Sequence, residues 1–430
     1  MRAPLVAIVT LLATLAAPAQ TVTAIRAAHM IDVRAGVTID DAVVLVTGER
    51  ITAAGAKLAI PEGARVIDLG ARTLLPGLID AHTHLLLNLP VGGDENDAML
   101  LSIATSSTAK RALFGAKSGR EVLQAGITTV RDLGNSGTNG DIALRDAINA
   151  GWIVGPRILA STRALAPPGG QYGPMNAAAH ALIAEEYAIV VSVDDTRRAV
   201  QRALYDGADC IKVIVNAGNR TLSQDVMNAI VDEAHRAHRR VAAHAIGDLA
   251  TRTAANAGVD SIEHAYTIPD DALKTMAEKK IALVPTDPPA DVLLALTPAE
   301  RVPSDPKKRD EQMALAMKAP AARLQRARAA GVKIVFGSDE YYEVPNMTRG
   351  QSSLATLRSY AGAGMSPLEI LRAATVDSAE LLGIGTRAGE IRKGFYADLI
   401  AVDGDPLASI DPLLHVSFVM KGGAVIFDRK

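Results

Sequence analysis

An α/β fold, a (β/α)8 TIM barrel carrying a small β-sandwich domain built from both chain termini, is the class this sequence predicts. Three observations predict it. Eight β-runs alternate with helix-length segments through the middle of the chain, and both ends read instead as short strands and turns. No Gly-rich phosphate turn follows the first run, which counts against an open doubly wound sheet. At 430 residues the chain has ample length for a large core and more than one domain.

The elements follow in order. Residues 1–19 place Arg2 before an apolar stretch from Leu5 to Ala16 and the small-residue pattern Ala17-Pro18-Ala19. That is the layout of a secretory signal peptide, with an apolar part too short for a membrane span, so the protein is expected to be exported, to the periplasm, and to keep no membrane span once the signal is removed. The single cysteine, Cys210, rules out an internal disulfide even there. Residues 20–75, with TVTAIRAAHMID, GVTIDDAVVLVTGERITAAG and ARVIDLG, form the first part of the β-domain. Residues 386–430, with FYADLIAVDGDP, VSFVMKGG and AVIFDR, form the second. Between them, over 76–385, the barrel runs are LLPGLIDAH, GITTVRDLG, PRILAST, CIKVIV, RVAAHA, SIEHA, IALVPT and KIVFGSD, separated by helical stretches such as SVDDTRRAVQRALYDG. Two connections exceed ordinary length, one after His84 and one after the third run, and both are expected to rise over the C-terminal mouth as substrate walls or a lid.

Composition narrows the function. With 45 basic against 47 acidic residues and a formal charge of -2, no strong field for nucleic acid or anionic membrane exists. The chemistry is concentrated at strand ends. His82 and His84 lie one residue apart at the end of the first run, so strand alternation turns both the same way, close enough to chelate one ion. Equivalent heights on other runs carry Lys212, His244, His264 and Asp339. Taken singly, each has a plain structural reading: a satisfied histidine, a salt-bridged lysine, a turn aspartate after Gly337-Ser338. Recurrence on five strands is what argues for a site. The remaining histidines illustrate the plain reading: His235 and His238 sit at helical spacing among arginines, and His29, His180 and His415 fall outside the strand-end pattern. Cys210 reads as a buried packing thiol.

On these motifs, HTH at 82–84, the lysine of IKVIV, AHA around His244, EHA around His264, GSD ending in Asp339 and the late GFYADLIAVD, the chain resembles the amidohydrolase superfamily over nearly all of residues 20–430. Within it, GITTVRDLG, GPRILAST and IKVIVNAG are similar to the subgroup of imidazolonepropionase relatives, Xaa-Pro dipeptidases, related carboxypeptidases and, most of all, ochratoxin-hydrolysing amidases. The resemblance implies two divalent metal ions, zinc, bridged by a carbamate on Lys212. It assigns His82, His84 and Asp339 to the more buried ion, and His244 and His264 to the more exposed one. It implies hydrolysis of an amide or peptide bond by a metal-bridging hydroxide, with Asp339 as proton shuttle. The substrate expected is a small molecule: an N-acyl amino acid, a dipeptide or an ochratoxin A-type amide.

Substrate contacts are expected from Gln171 and Tyr172 on the loop after the third run, from Tyr341 and Tyr342 after Asp339, and from Arg163 as a partner for a substrate carboxylate. Gln171 stands where the subgroup often has histidine, and Pro345-Asn346 also departs from its pattern. Two other readings stand beside this one: a lactam, imide or lactone hydrolase of the same fold, and an exported binding protein that no longer turns over. Relatives are often dimers or larger, so homo-oligomers are an open expectation.

Overall fold

The computed structural model describes residues 21–429, so the expected signal segment lies outside the described residues. The barrel strands are continuous apolar or β-branched runs, buried on both faces as parallel strands are: every residue of Leu78–Thr83, Ile127–Asp132 and Cys210–Ile214 is buried. Leu78–Thr83, Ile127–Asp132 and Arg157–Ala160 pair in parallel in that order. Ala164–Ala166, Cys210–Ile214, Arg240–Ala245, Ser261–His264 and Ala282–Val284 continue the sequence, again in parallel.

The third run is bent. Its two pieces, Arg157–Ala160 and Ala164–Ala166, are separated by Thr162 at φ 62°, whose amide donates to the buried Asp141 carboxylate at 2.7 Å. The eighth run closes the barrel with scattered bonds and no regular ladder. Val335 N donates to Leu283 O at 2.9 Å on one side, while Ala81 N donates to Phe336 O at 2.9 Å and Asp339 N to His82 O at 2.8 Å on the other. That last bond sets Asp339 beside His82.

Crossover helices are fixed by caps and apolar stripes. Val193–Tyr205 begins at Ser192, whose side chain accepts from Asp195 N, and buries Thr196, Val200 and Ala203. Gln224–Arg236 begins at Ser223 and buries Val226, Ile230 and Ala234, again at helical spacing, each aliphatic side chain of Val or Ile size contributing roughly 1.5–3 kcal/mol. The strands of both termini join one eight-stranded sheet in which Val22–Asp32 pairs antiparallel with Val37–Thr47, and Thr73–Pro76 pairs with Leu399–Val402. Its edge strand Arg50–Ala56 bonds back to the segment before Leu399 through Ile51 N to Phe395 O at 3.0 Å, so the two wings enclose a core of Ile25, Val44, Leu74, Leu399 and Phe418.

Both long connections lie over the C-terminal mouth. Their helices, Glu95–Thr105 and His180–Glu186, meet through Met99, Ile103, Ile183 and Tyr187. A third long connection, not expected from the sequence, follows Ala282–Val284 and carries Ala290–Leu296 and Pro306–Ala316 ahead of the crossover helix Lys318–Ala329. Its short helices open at prolines or at Asp305 and read as a single crossover in the linear text. Among the described residues no helix is long and apolar enough to cross a membrane.

Candidate active site

Four imidazoles, one lysine and one aspartate gather where the barrel strands end. The ring centroids run in a chain, His84 to His82 at 5.3 Å, His82 to His264 at 5.1 Å and His264 to His244 at 4.8 Å. Asp339 faces three of them: Oδ1 lies 3.3 Å from His82 Nε2 and 3.2 Å from His84 Nε2, and Oδ2 lies 3.6 Å from His264 Nδ1. Strand alternation alone would send Glu263 and His264 to opposite faces. A φ of 64° at His264 turns its ring to the mouth while Glu263 stays in the barrel interior, and Asp339 itself sits at φ 54°. Such strained backbone persists where the surrounding structure holds it, commonly at functional sites.

The tautomers follow from the partners. His84 Nδ1 donates to the Gly134 carbonyl at 2.8 Å, and His82 Nδ1 donates to the Glu263 carboxylate at 2.7 Å. Both acceptors lack protons to give, so in the neutral rings both Nε2 atoms present lone pairs to the Asp339 oxygen. Lone pairs converging on a carboxylate repel unless a proton or cation sits between them. Burial works against a proton on His84, yet the hydrogen bond and charge of Asp339 outweigh it and raise its pKa. His82 meets the opposite fate: burial, then the Lys212 charge, hold it well below the usual range, and its buried Nε2 has no hydrogen-bond partner. Burial and then Lys212 bring His244 to about 3, and burial and then His244 hold His264 far down. Burial alone would raise Asp339, but the facing imidazoles keep it ionised. Once His84 has lost its proton, these imidazoles around one carboxylate are a donor set for a divalent cation, and the ligand atoms of His82, His84 and Asp339 all lie within 4.8 Å of one another.

Lys212 rises from the buried strand Cys210–Ile214 with 3% exposure, and burial lowers its pKa to about 8. With Asp339 it lines a cavity of about 230 Å³. The walls come from the mouth connections: Glu95, Met99, Asn135, Gln171, Tyr187 and Tyr266, with Tyr341 beside them. Tyr341 donates to Glu95 at 2.7 Å and sets its ring edge against His84, while Gln171 accepts from the Tyr187 hydroxyl at 2.9 Å. Tyr172 lies behind this wall, buried with its ring against Tyr187, and Tyr342 packs on Tyr341 without lining the cavity. Arg163 points away from the cavity and donates to the Ala184 carbonyl at 2.8 Å, which leaves it tying down a mouth helix.

Sequence reasoning missed the support beneath the ligands. Glu263, fully buried, receives His82 on one oxygen and Arg131 Nη2 at 3.0 Å on the other; Arg131 also donates to Ala81 O at 2.7 Å and to Ser261 at 3.1 Å. The available signal was an arginine inside ITTVRD and a glutamate inside SIEH, charges in strands otherwise built for burial.

The Amidohydrolase family model matches residues 73–426, and the chain belongs to this family of hydrolases. Among its relatives is the ochratoxinase of Aspergillus niger, 32% identical over 383 residues that span 81% of this chain and 75% of that protein. Similar solved structures include a prolidase complexed with N-methylphosphonate-L-proline, at TM-score 0.81 and 29% identity over 95% of this chain and all (100%) of that one. A Xaa-Pro dipeptidase with bound methionine in its active site matches at TM-score 0.79 and 28% identity, covering 94% and 99% of the two chains.

Proposed function

We propose that the chain is a divalent-metal-dependent hydrolase of amide or peptide bonds, acting on small N-acyl amino acids, dipeptides or ochratoxin A-type amides. The observation that carries this reading is the meeting of His82 Nε2 and His84 Nε2 on one Asp339 oxygen, at 3.3 and 3.2 Å, with both Nδ1 edges already engaged. His82, His84 and Asp339 would hold one ion, and His244 and His264 a second. Lys212, as a carbamate, would be shared between them. Its lowered pKa, about 8, supplies the neutral amine that takes up carbon dioxide. Zinc suits this mixture of imidazole and carboxylate oxygen, and dications bound here would polarise a scissile carbonyl and acidify water.

The chain's own residues supply the rest. Asp339, kept ionised, accepts the proton of the attacking water at a carboxylate oxygen and returns it to the leaving nitrogen, which departs poorly as an anion. Glu263 and Arg131 hold the His82 ring in the orientation and tautomer that presents Nε2. Tyr187, Tyr266 and Tyr341 give the cavity aromatic walls, and its volume of about 230 Å³ suits a side chain or a small acyl group better than a polypeptide. The relatives that act on prolyl dipeptides and ochratoxin support an amide next to an amino acid. The test is hydrolysis of a panel of N-acyl amino acids, Xaa-Pro dipeptides and ochratoxin A by metal-replete protein. Failure across the whole panel would overturn the reading.

A further inference from the structure

At the opposite end of the barrel, a second cavity of about 830 Å³ opens beside the starts of the strands Arg157–Ala160, Cys210–Ile214 and Arg240–Ala245 and the segment 382–387. Ile158, Leu159, Leu382 and Ile384 line part of it, and so do five arginines. Three are committed. Arg145 pairs with Asp209 at 2.7 Å and Asp146 at 2.9 Å, Arg157 with Asp398 at 3.4 Å, and Arg240 with Asp260 at 2.5 Å, an acid shared with His235. The other two have no acidic partner among the described residues. Arg239 donates only from Nε, to the Ala208 carbonyl at 3.1 Å, which aims its guanidinium and leaves both terminal nitrogens unpaired. Arg387 lines the same cavity with its side chain unengaged. The two acids that line the cavity, Asp146 and Asp209, are engaged by Arg145, and Asp260 and Asp398 by Arg240 and Arg157, so the charges left over are positive.

We propose that this cavity is a binding site for a small multivalent oxyanion, a phosphate or polycarboxylate, held by Arg239 and Arg387 and separate from the hydrolytic centre. Guanidinium groups match both anion types through paired N–H donors, and the cleft screens the charge-assisted bonds from part of the solvent. The position on the strand-start face of the barrel, away from the catalytic mouth, means that the anion would not compete with substrate.

Isothermal titration of the full-length, metal-replete protein with inorganic phosphate and with tricarballylate, at constant chloride, tests this. Saturable binding of at least one is expected, weakened about tenfold or more by Arg239→Ala and by Arg387→Ala. It should be untouched by Arg198→Ala, whose 70% exposed side chain pairs with Asp195 on a helix surface. Preference for phosphate or for tricarballylate assigns the source of the anion. No saturable binding of either would overturn the proposal, as would binding that survives both substitutions or falls equally in Arg198→Ala. Inhibition competitive with substrate would place the anion at the hydrolytic centre, and self-association lost in Arg239→Ala would make the cleft an interface between copies. Either would also overturn it.

Discussion

Asp339 works at two tasks with one carboxylate: it completes the donor set with His82 and His84, and it is the proton carrier of the proposed reaction. Asp339→Asn keeps the shape, removes the base and weakens the donor set, so kcat is expected to fall about 10²–10⁴-fold while circular dichroism stays near wild type. Glu263 acts one step away, through His82. Glu263→Gln leaves the Arg131 guanidinium buried without its counter-charge, an effect of about 3–5 kcal/mol on stability, and loosens metal affinity about 10–100-fold. Metal titration against denaturant melts separates the two effects; unchanged affinity with lowered stability would reduce Glu263 to a structural role. The histidines also set the acid response. His82, His244 and His264 have folded pKa values below the ordinary 6.5, so the unfolded chain binds more protons over that range. The contribution of these three histidines to stability is therefore lost as pH falls from 6.5 toward the His244 value of about 3, while Asp80, Asp141 and Glu340, each pushed up to about 7 by burial, contribute with the opposite sign over the same range. Denaturant melts of metal-free wild-type and His244→Asn protein isolate the sign: the stability of the wild type relative to the variant is expected to fall as the pH is lowered, and a constant difference would contradict it.

At the scale of elements, the seam between the eighth and first barrel strands holds the site together. Gly337 lies so close to its neighbours that an added Cβ would meet Val284 Cγ1 at 2.3 Å and His82 Cβ at 2.8 Å. Gly337→Ala is expected to push the eighth run off the first, destabilising the fold by about 1–3 kcal/mol and weakening metal binding with it. Normal affinity in that variant would show that the seam does not govern the ligand geometry. The strand-end residues were legible in the sequence because a buried strand repeats every two residues and a barrel brings all its strand ends to one rim. What decides Glu263 and Arg131 is packing across the barrel, from the sixth strand to the second, which no local spacing encodes. The positive φ at His264, which puts two consecutive side chains to use, breaks the alternation such reading relies on. The fate of Arg163 was equally hidden, since the Ala184 carbonyl that engages it belongs to a helix folded back over the mouth.

At the scale of the whole molecule, the barrel presents two faces with different chemistry: a mouth of buried imidazoles and aromatic walls, and a strand-start face rich in arginine. Ions held by ligands from the first, fourth, fifth, sixth and eighth strands would cross-link the barrel, so metal removal is expected to lower the thermal midpoint as well as the activity. The most direct measurement is metal content of the purified protein alongside amide hydrolysis, before and after chelation and again after zinc and bicarbonate are returned. About two divalent ions per chain are expected, with hydrolysis lost on chelation and regained on reconstitution. Hydrolysis that persists without metal, or a protein that neither retains nor takes up divalent ions, would contradict the proposal that these residues form a metal-dependent hydrolytic centre.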